Sequence, residues 1–136
     1  MTALDCGEVK IDAEADIAMA RRAVREVALK VGFGATEVAR IVTAASELGR
    51  NVYKYAHTGV MHWRVLESGI GAGIELRFED NGPGIPDIND ALREGFTTGG
   101  GLGMGLPGAK RLMDEMNIES QPGNGTKVVV RKWRRH

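Results

Sequence analysis

Glu47 and Asn51, in the segment SELGRN, are the first of three groups whose residue types and spacing suit nucleotide chemistry. Their spacing of four puts both side chains on one face of a helix. An exposed Asn in a helix interior is a mediocre helix former, so its presence needs another reason. Its carboxamide oxygen is a suitable ligand for Mg²⁺, and a carboxylate one turn earlier can orient or deprotonate an attacking hydroxyl. The alternative is a solvated pair on a surface helix.

The second group is the turn-rich segment DNGPGIP, in which Gly82 and Gly84 follow Asp80. An Asp at the end of a strand can accept a hydrogen bond from an adenine amino group. The glycines let the backbone approach the base closely, because they carry no Cβ. The alternative is that Asn81 and Gly82 turn a hairpin. A helix, not a strand, is predicted after Pro86, which weakens that alternative.

The third group is the glycine-rich segment GGGLGMG at 99–105, which runs directly into a predicted helix. Backbone N–H groups at such a helix start can cradle phosphate. The candidate phosphate-binding residues are Gly101, Gly103 and Gly105. A flexible linker is the alternative. A dinucleotide fingerprint is excluded because no strand precedes these glycines, and a P-loop is excluded because Ala109, not Lys, follows Gly108.

Hydrophobic periodicity predicts the elements that must position these groups. Strands are predicted at 6–11, 60–67, 73–79, 117–121 and 126–133, and helices at 13–31, from 36 to near 57, at 87–94 and from 104 to about 116. Asp12 is the expected N-cap of the first helix and Gly32 its expected end. The pattern predicts one α+β domain over 1–136, a two-layer sandwich with a mixed β-sheet and helices on one face.

Composition narrows the function classes. With 43% hydrophobic and 26% charged residues, the 136-residue chain is typical of a globular protein. The net charge of zero gives no overall attraction to nucleic acid or membrane. The single cysteine, Cys6, fits a reducing compartment, the first ten residues lack the apolar core of a signal peptide, and no apolar run approaches the ~20 residues that cross a bilayer. We therefore expect a cytoplasmic protein.

The three groups and their order resemble the gyrase and histidine-kinase type of ATP-binding domain, the Bergerat fold. The groups are E-x-x-x-N on a helix, D-x-G-x-G after a strand and G-x-G-x-G before a helix. The resemblance covers nearly the whole chain and implies ATP between the helices under a lid at about 86–103. The segments SELGRNVYKYAHTG, FEDNGPGIPDINDAL and TTGGGLGMGLPGAKRLMDE are similar to bacterial serine kinases of sigma-factor switches, specifically the stressosome switch kinases of the RsbT type.

That resemblance implies ATP and Mg²⁺ as cofactors and assigns a role to each matching residue. Glu47 corresponds to the catalytic base, and Asn51 to the residue that binds Mg²⁺. Asp80 corresponds to the residue that reads adenine, and Thr126, in the GNGT turn, to a further adenine contact.

Kinases of this type phosphorylate Ser or Thr on STAS-domain antagonist or scaffold proteins and then bind and activate a PP2C-type phosphatase. No nucleic-acid or membrane partner is expected, because the net charge is zero, and a homodimer is left open. A second hypothesis is a non-catalytic anti-sigma factor or activator that binds its partner stoichiometrically, with ATP as a conformational ligand. The presence of Glu47 favours catalysis, because binding alone requires no base. A third, an ATPase subunit of a larger machine, is disfavoured because no second domain is predicted.

Overall fold

The computed structural model describes residues 6–69, 71–82, 105–120 and 123–134. Within these ranges, three helices cover one face of a five-stranded sheet. In chain order the elements are β1 (Cys6–Ile11), α1 (Glu14–Val31), α2 (Ala35–Ala56), β2 (Gly59–Ser68), β3 (Gly71–Asp80), α3 (Gly105–Leu112), β4 (Glu115–Ser120) and β5 (Thr126–Arg134). All five predicted strands and the two long helices are therefore confirmed, with small shifts at their ends. The short helix predicted at 87–94 lies outside the described residues.

The strand order is β1-β2-β3-β5-β4, and each described pair of neighbours is antiparallel. The prediction of a mixed sheet is therefore wrong. Two helices connect β1 to β2. They return the chain to the end of β1, and from there β2 runs antiparallel to β1. β3 and β4 point in the same direction, but β5 lies between them and pairs antiparallel with both.

The core lies between the sheet and the helices. Alternate strand residues point toward the helices, where they meet the apolar stripes of α1 and α2. Each large apolar side chain buried here stabilises the fold by about 1.5–3 kcal/mol. The largest fully buried side chains are Phe78, Ile11, Ile41, Leu48, Met61, Ile74, Leu76, Val24 and Val130.

The start of α1 differs from the prediction that Asp12 caps it. The N-cap residue is Ala13, which makes no side-chain capping bond. Instead the Asp16 carboxylate reaches back and accepts hydrogen bonds from the backbone N–H groups of Asp12 (2.9 Å) and Ala13 (3.0 Å). The Asp12 carboxylate is occupied elsewhere, because it accepts a hydrogen bond from the hydroxyl of Thr58, the residue before β2. The predicted end at Gly32 is confirmed, with a left-handed φ of 102°.

The helix that carries the first candidate group, α2, runs as predicted to the residue before His57, which adopts a left-handed φ of 67°. Its predicted apolar face is buried. The buried residues of α2 are Val38, Ile41, Val42, Ala44, Ala45, Ser46, Leu48, Gly49 and Val52. This stripe fixes the rotation of α2 and leaves Glu47 and Asn51 on its flank.

The third helix is shorter than predicted. It ends at Leu112, and Met116, expected on the helix, lies instead on β4 opposite Val130. The buried ammonium group of Lys132 on β5 donates to the Leu112 carbonyl at 2.9 Å and pairs with Glu37 Oε2 at 3.1 Å. A cation at the last carbonyls of a helix stabilises its end, so this long-range contact stops α3 before its apolar period is complete.

The outer face of the sheet, which points away from the helices, carries a buried carboxylate between two arginines. Glu75 is 5% exposed. Arg64 donates to both carboxylate oxygens, at 2.8 and 3.0 Å, and Arg131 donates to Oε2 at 2.8 Å. Burial by itself raises the pKa of Glu75, but the hydrogen bonds and charges of the two arginines outweigh burial and hold that pKa below its usual range.

Candidate functional site

The first candidate pair lies on the exposed flank of α2. Glu47 and Asn51 are both half-buried beside the core stripe. The Glu47 side chain is 19% exposed, and its Oε1 accepts a hydrogen bond from Nη1 of Arg50 at 2.8 Å. The Asn51 side chain makes no hydrogen bond within the described part of the chain. Arg50 is not among the residues predicted for the site, although its position three residues after Glu47 was the available signal.

Asp80 lies at the end of β3 as predicted, and its carboxylate is half-buried. The backbone N–H of Gly82 donates to Oδ1 at 2.9 Å, and the backbone N–H of Thr126 also donates to the carboxylate. Burial raises the pKa of Asp80, and these two hydrogen bonds only partly offset it. A carboxylate held in place by backbone donors at a strand end can accept a further bond from an exocyclic amino group.

Thr126 is brought directly to Asp80 by the sheet register. The two residues are cross-strand partners at the point where β3 ends and β5 begins. The Thr126 hydroxyl lies 3.0 Å from the Ser120 hydroxyl, which also donates to the Gly125 carbonyl at 3.2 Å. The two residues that the resemblance assigns to adenine therefore meet, although 46 positions separate them in the chain.

Gly82 connects this sheet end to α2. A Cβ at Gly82 would lie 2.7 Å from Ala56 Cβ and 3.0 Å from Ala56 Cα, which is closer than real side chains approach. From the sequence, this glycine is expected to allow close approach of a base. The structure shows that α2 itself requires it, because the last turn of the helix lies directly against the segment after Asp80. The helix bearing Glu47 and Asn51 is thereby packed against the Asp80 end of β3.

A second close approach fixes Asp80 from the other side. Gly125 has a φ of +84°, and a Cβ there would lie 2.1 Å from the Asp80 carbonyl oxygen. Only glycine accommodates both the left-handed backbone and that distance. Gly125 is not among the residues predicted for the site, although the turn PGNG is visible in the sequence. The need for glycine there depends on a contact with another strand.

A cavity of about 700 Å³ opens at the same end of the sheet. Its described lining includes Asp80 and Thr126, together with the charged side chains of Lys10, Glu79 and Lys127 from the strands. Glu47 and Asn51 are not among those lining residues. The cavity therefore adjoins the predicted adenine contacts but does not by itself form the candidate site, which extends along α2.

Several predicted site residues lie outside the described residues, namely Gly84 from the segment predicted to border the base, Gly101 and Gly103 from the predicted phosphate-binding segment, and the lid at about 86–103. Gly105 is the first residue of α3. The buried side chains of Leu106 and Ala109 hold α3 in the core, where it packs on α2. The helix predicted to begin at the phosphates therefore neighbours the helix that carries Glu47.

The donor set fits a magnesium ion that a nucleotide shares. Among residues 6–69, 71–82, 105–120 and 123–134, no group of three or more His, Cys, Asp or Glu side chains could hold a metal ion. The Asn51 carboxamide supplies a suitable hard oxygen on α2, and Mg²⁺ characteristically takes few protein ligands together with phosphate oxygens and water. No helix in the described part of the chain has the length and apolar character needed to span a membrane.

The model of the histidine kinase-, DNA gyrase B- and HSP90-like ATPase family matches residues 36–136. The chain belongs to this family. Serine/threonine-protein kinase RsbT of Bacillus subtilis (strain 168) is 48% identical over 127 residues, covering 93% of this chain and 96% of that protein. An anti-sigma F factor of Thermoanaerobacter sp. (strain X514) is 33% identical over 118 residues, 84% of this chain and 82% of its own.

Two solved structures share the fold. The mycobacterial sensor histidine kinase MprB aligns with a TM-score of 0.54 at 18% identity, over 96% of this chain and 99% of its own. The histidine kinase domain of the blue-light activated kinase EL346 from Erythrobacter litoralis aligns with a TM-score of 0.50 at 21% identity, over 88% of this chain and 59% of its own.

These comparisons confirm the predicted family and the predicted α+β architecture with helices on one face. Membership of the ATPase family confirms that the chain uses ATP. The similarity to RsbT confirms the predicted enzyme class, a serine/threonine-protein kinase.

Proposed function

We propose that this chain is the ATP-dependent serine/threonine kinase of a stressosome-like partner-switching module. Residues 1–136 act as one kinase domain with a lid at about 86–103. The kinase phosphorylates Ser or Thr on STAS-domain antagonist or scaffold proteins and then activates a PP2C-type phosphatase by binding it. It acts in the cytoplasm, where ATP is available and the exposed thiol of Cys6 stays reduced.

One observation carries the proposal, namely the contact of Gly82 with Ala56. It places the Asp80 end of β3 against the last turn of α2, the helix that carries Glu47 and Asn51. A nucleotide whose base is bound at Asp80 can therefore extend its phosphates along α2. The similarity to a serine/threonine-protein kinase over nearly its full length supports this arrangement.

In the proposed reaction each residue supports one part of phosphoryl transfer. Asp80 and Thr126 bind the adenine, and the Asn51 carboxamide oxygen holds Mg²⁺, which neutralises phosphate charge when bound. The substrate hydroxyl oxygen bonds to the γ-phosphorus as the bond to the departing ADP oxygen breaks, and Glu47 accepts the hydroxyl proton. Such a base contributes about 10²- to 10⁴-fold to the rate.

The glycines complete the proposed phosphate site. Gly82 and Gly84 border the base, and the backbone N–H groups at Gly101, Gly103 and Gly105 donate to the phosphates. Gly105 begins α3, so its N–H belongs to the unpaired first turn of a helix, which favours an anion.

Stoichiometric binding as an anti-sigma factor is the alternative function, and the similarity to anti-sigma F factors favours it. In that case ATP changes partner affinity without phosphoryl transfer. Glu47→Gln separates the two functions, because it removes a base but retains side-chain size. A Glu47→Gln protein that regulates its partner as well as the wild type supports the binding function.

The direct test is transfer of ³²P from [γ-³²P]ATP to a purified STAS-domain protein. Asn51→Ala should lower the rate about 10²-fold or more, because charge neutralisation provides most of the catalysis in phosphoryl transfer. Asn117→Ala is the matched control, because Asn117 is exposed on β4 at the outer face of the sheet.

Both variants should unfold at the wild-type temperature, since neither asparagine is buried in the core. Equal transfer by the Asn51 and Asn117 variants would contradict the proposed magnesium site. Absence of transfer by the wild-type protein, with Mg²⁺-dependent ATP binding intact, would contradict kinase activity toward this substrate class.

A further inference from the structure

Arg50 makes the one contact that the described residues provide to the Glu47 carboxylate. Its Nη1 donates to Glu47 Oε1 at 2.8 Å. The second oxygen, Oε2, accepts no hydrogen bond from any residue in the described ranges. One oxygen of the carboxylate is therefore fixed, while the other is available.

Position on the helix places this contact at the proposed reaction site. Glu47, Arg50 and Asn51 follow an i, i+3, i+4 spacing, so all three leave α2 on the same flank. The Glu47 side chain is 19% exposed and the Arg50 side chain 57% exposed. The guanidinium therefore lies on the solvent side of the carboxylate, where a protein substrate must approach.

This ion pair contributes little to the fold. Exposed helical pairs at this spacing add little to stability because water and salt screen them and the side chains lose rotational freedom. Its effect on geometry is different, because a free glutamate carboxylate rotates about its last side-chain bond. Proton transfer to a base requires hydrogen-bond distance to the attacking hydroxyl, and a displacement of about 1 Å can lower a rate about 10²-fold.

We propose that Arg50 is a positioning residue for phosphoryl transfer. Its guanidinium holds Oε1 of Glu47, so that Oε2 faces the hydroxyl of the substrate Ser or Thr and receives its proton. This inference rests on the proposed role of Glu47 as the base. Arg50 has no contact with ATP in this proposal, so nucleotide binding should not depend on Arg50.

The chain contains a matched control on the same helix. Arg40 pairs with Glu37 at the same i, i+3 spacing, with Nε and Oε1 3.9 Å apart, and is 51% exposed. Arg40 lies ten residues before Arg50, nearly three turns away from the proposed site. Arg40→Gln therefore reproduces the loss of an exposed helical arginine without touching Glu47.

The test measures steady-state ³²P transfer from Mg·ATP to a purified STAS-domain protein. We expect Arg50→Gln to lower kcat about tenfold, while KM for ATP stays within about twofold. Arg50→Lys retains a cationic donor and should recover part of kcat. Arg40→Gln should leave both constants unchanged. In a Glu47→Gln background, Arg50→Gln should have no further effect, because the two residues act as one unit.

If Arg50→Gln has the wild-type kcat while Glu47→Gln is inactive, the positioning role is overturned and the proposed function stays intact. An increase in KM for the protein substrate at unchanged kcat also overturns it, because Arg50 is then a docking contact. Full activity of Glu47→Gln overturns the assignment of the base and this inference with it.

Discussion

The spacing between β3 and α2 can be changed by a single methyl group at Gly82. In Gly82→Ala the new Cβ lies 2.7 Å from Ala56 Cβ, which is 0.7 Å short of the 3.4 Å at which ordinary contact begins. Ala56 belongs to α2, so the helix or the strand end must move. Overpacking of this kind costs about 1–3 kcal/mol, and a shift of this size between Asp80 and α2 should weaken Mg·ATP binding about tenfold, or ~1.4 kcal/mol.

Gly69→Ala is the matched control, because a Cβ at Gly69 meets nothing within 4 Å. Glycine-to-alanine replacement also stabilises by about 0.4–1 kcal/mol through the unfolded chain, and comparison of the two variants removes that contribution. Urea unfolding, followed by circular dichroism, measures stability, and calorimetry measures Mg·ATP affinity. Equal stability of the two variants would refute the steric argument. Lower stability of Gly82→Ala with unchanged ATP affinity would refute the coupling between this contact and the site.

Two further predictions concern carboxylates and pH. Burial raises the pKa of Asp80, so the wild type loses stability as pH rises from the pKa of this group in the unfolded state to its pKa in the folded state. Thermal melts of Asp80→Asn should match or exceed the wild type at neutral pH and converge with it in acid. Calorimetry should show that the affinity for ATP is lowered about tenfold. Arg64 and Arg131 hold the pKa of Glu75 below its usual range. The stabilisation that the ionised Glu75 gives to the fold is therefore present at neutral pH and is lost as pH falls through the pKa of Glu75 in the folded state. Melts should show the wild type losing more stability in acid than Glu75→Gln, and parallel pH curves would contradict this.

Most secondary structure was predictable because it depends on local pattern. The apolar period of α2 and the end of that helix at His57 are visible in the sequence, and both are confirmed. The cap of α1 was predicted wrongly, because Asp12 is a good cap by type but its carboxylate binds Thr58, 46 residues away. The end of α3 was likewise set from a distance, by Lys132 on β5.

The candidate site shows the same division. Residue types and spacing selected Glu47, Asn51 and Asp80, because each stands in a local motif. The spacing of Arg50 from Glu47 permits a contact between them but does not establish it, since the side-chain rotamers decide whether the two groups meet. Nor could spacing reveal the requirement for Gly125, which arises only because β5 places this residue against the Asp80 carbonyl.

The sequence by itself determined the family and the enzyme class through its resemblance to known kinases, and it selected the candidate residues because chemistry at a site depends on residue type and short spacing. The tertiary structure decided the antiparallel sheet, by placing β5 between β3 and β4. It also decided the meeting of Asp80 with Thr126 and the packing of the Asp80 strand end against α2. These contacts join residues distant in the chain, and their geometry is fixed by burial and register, which local patterns do not encode.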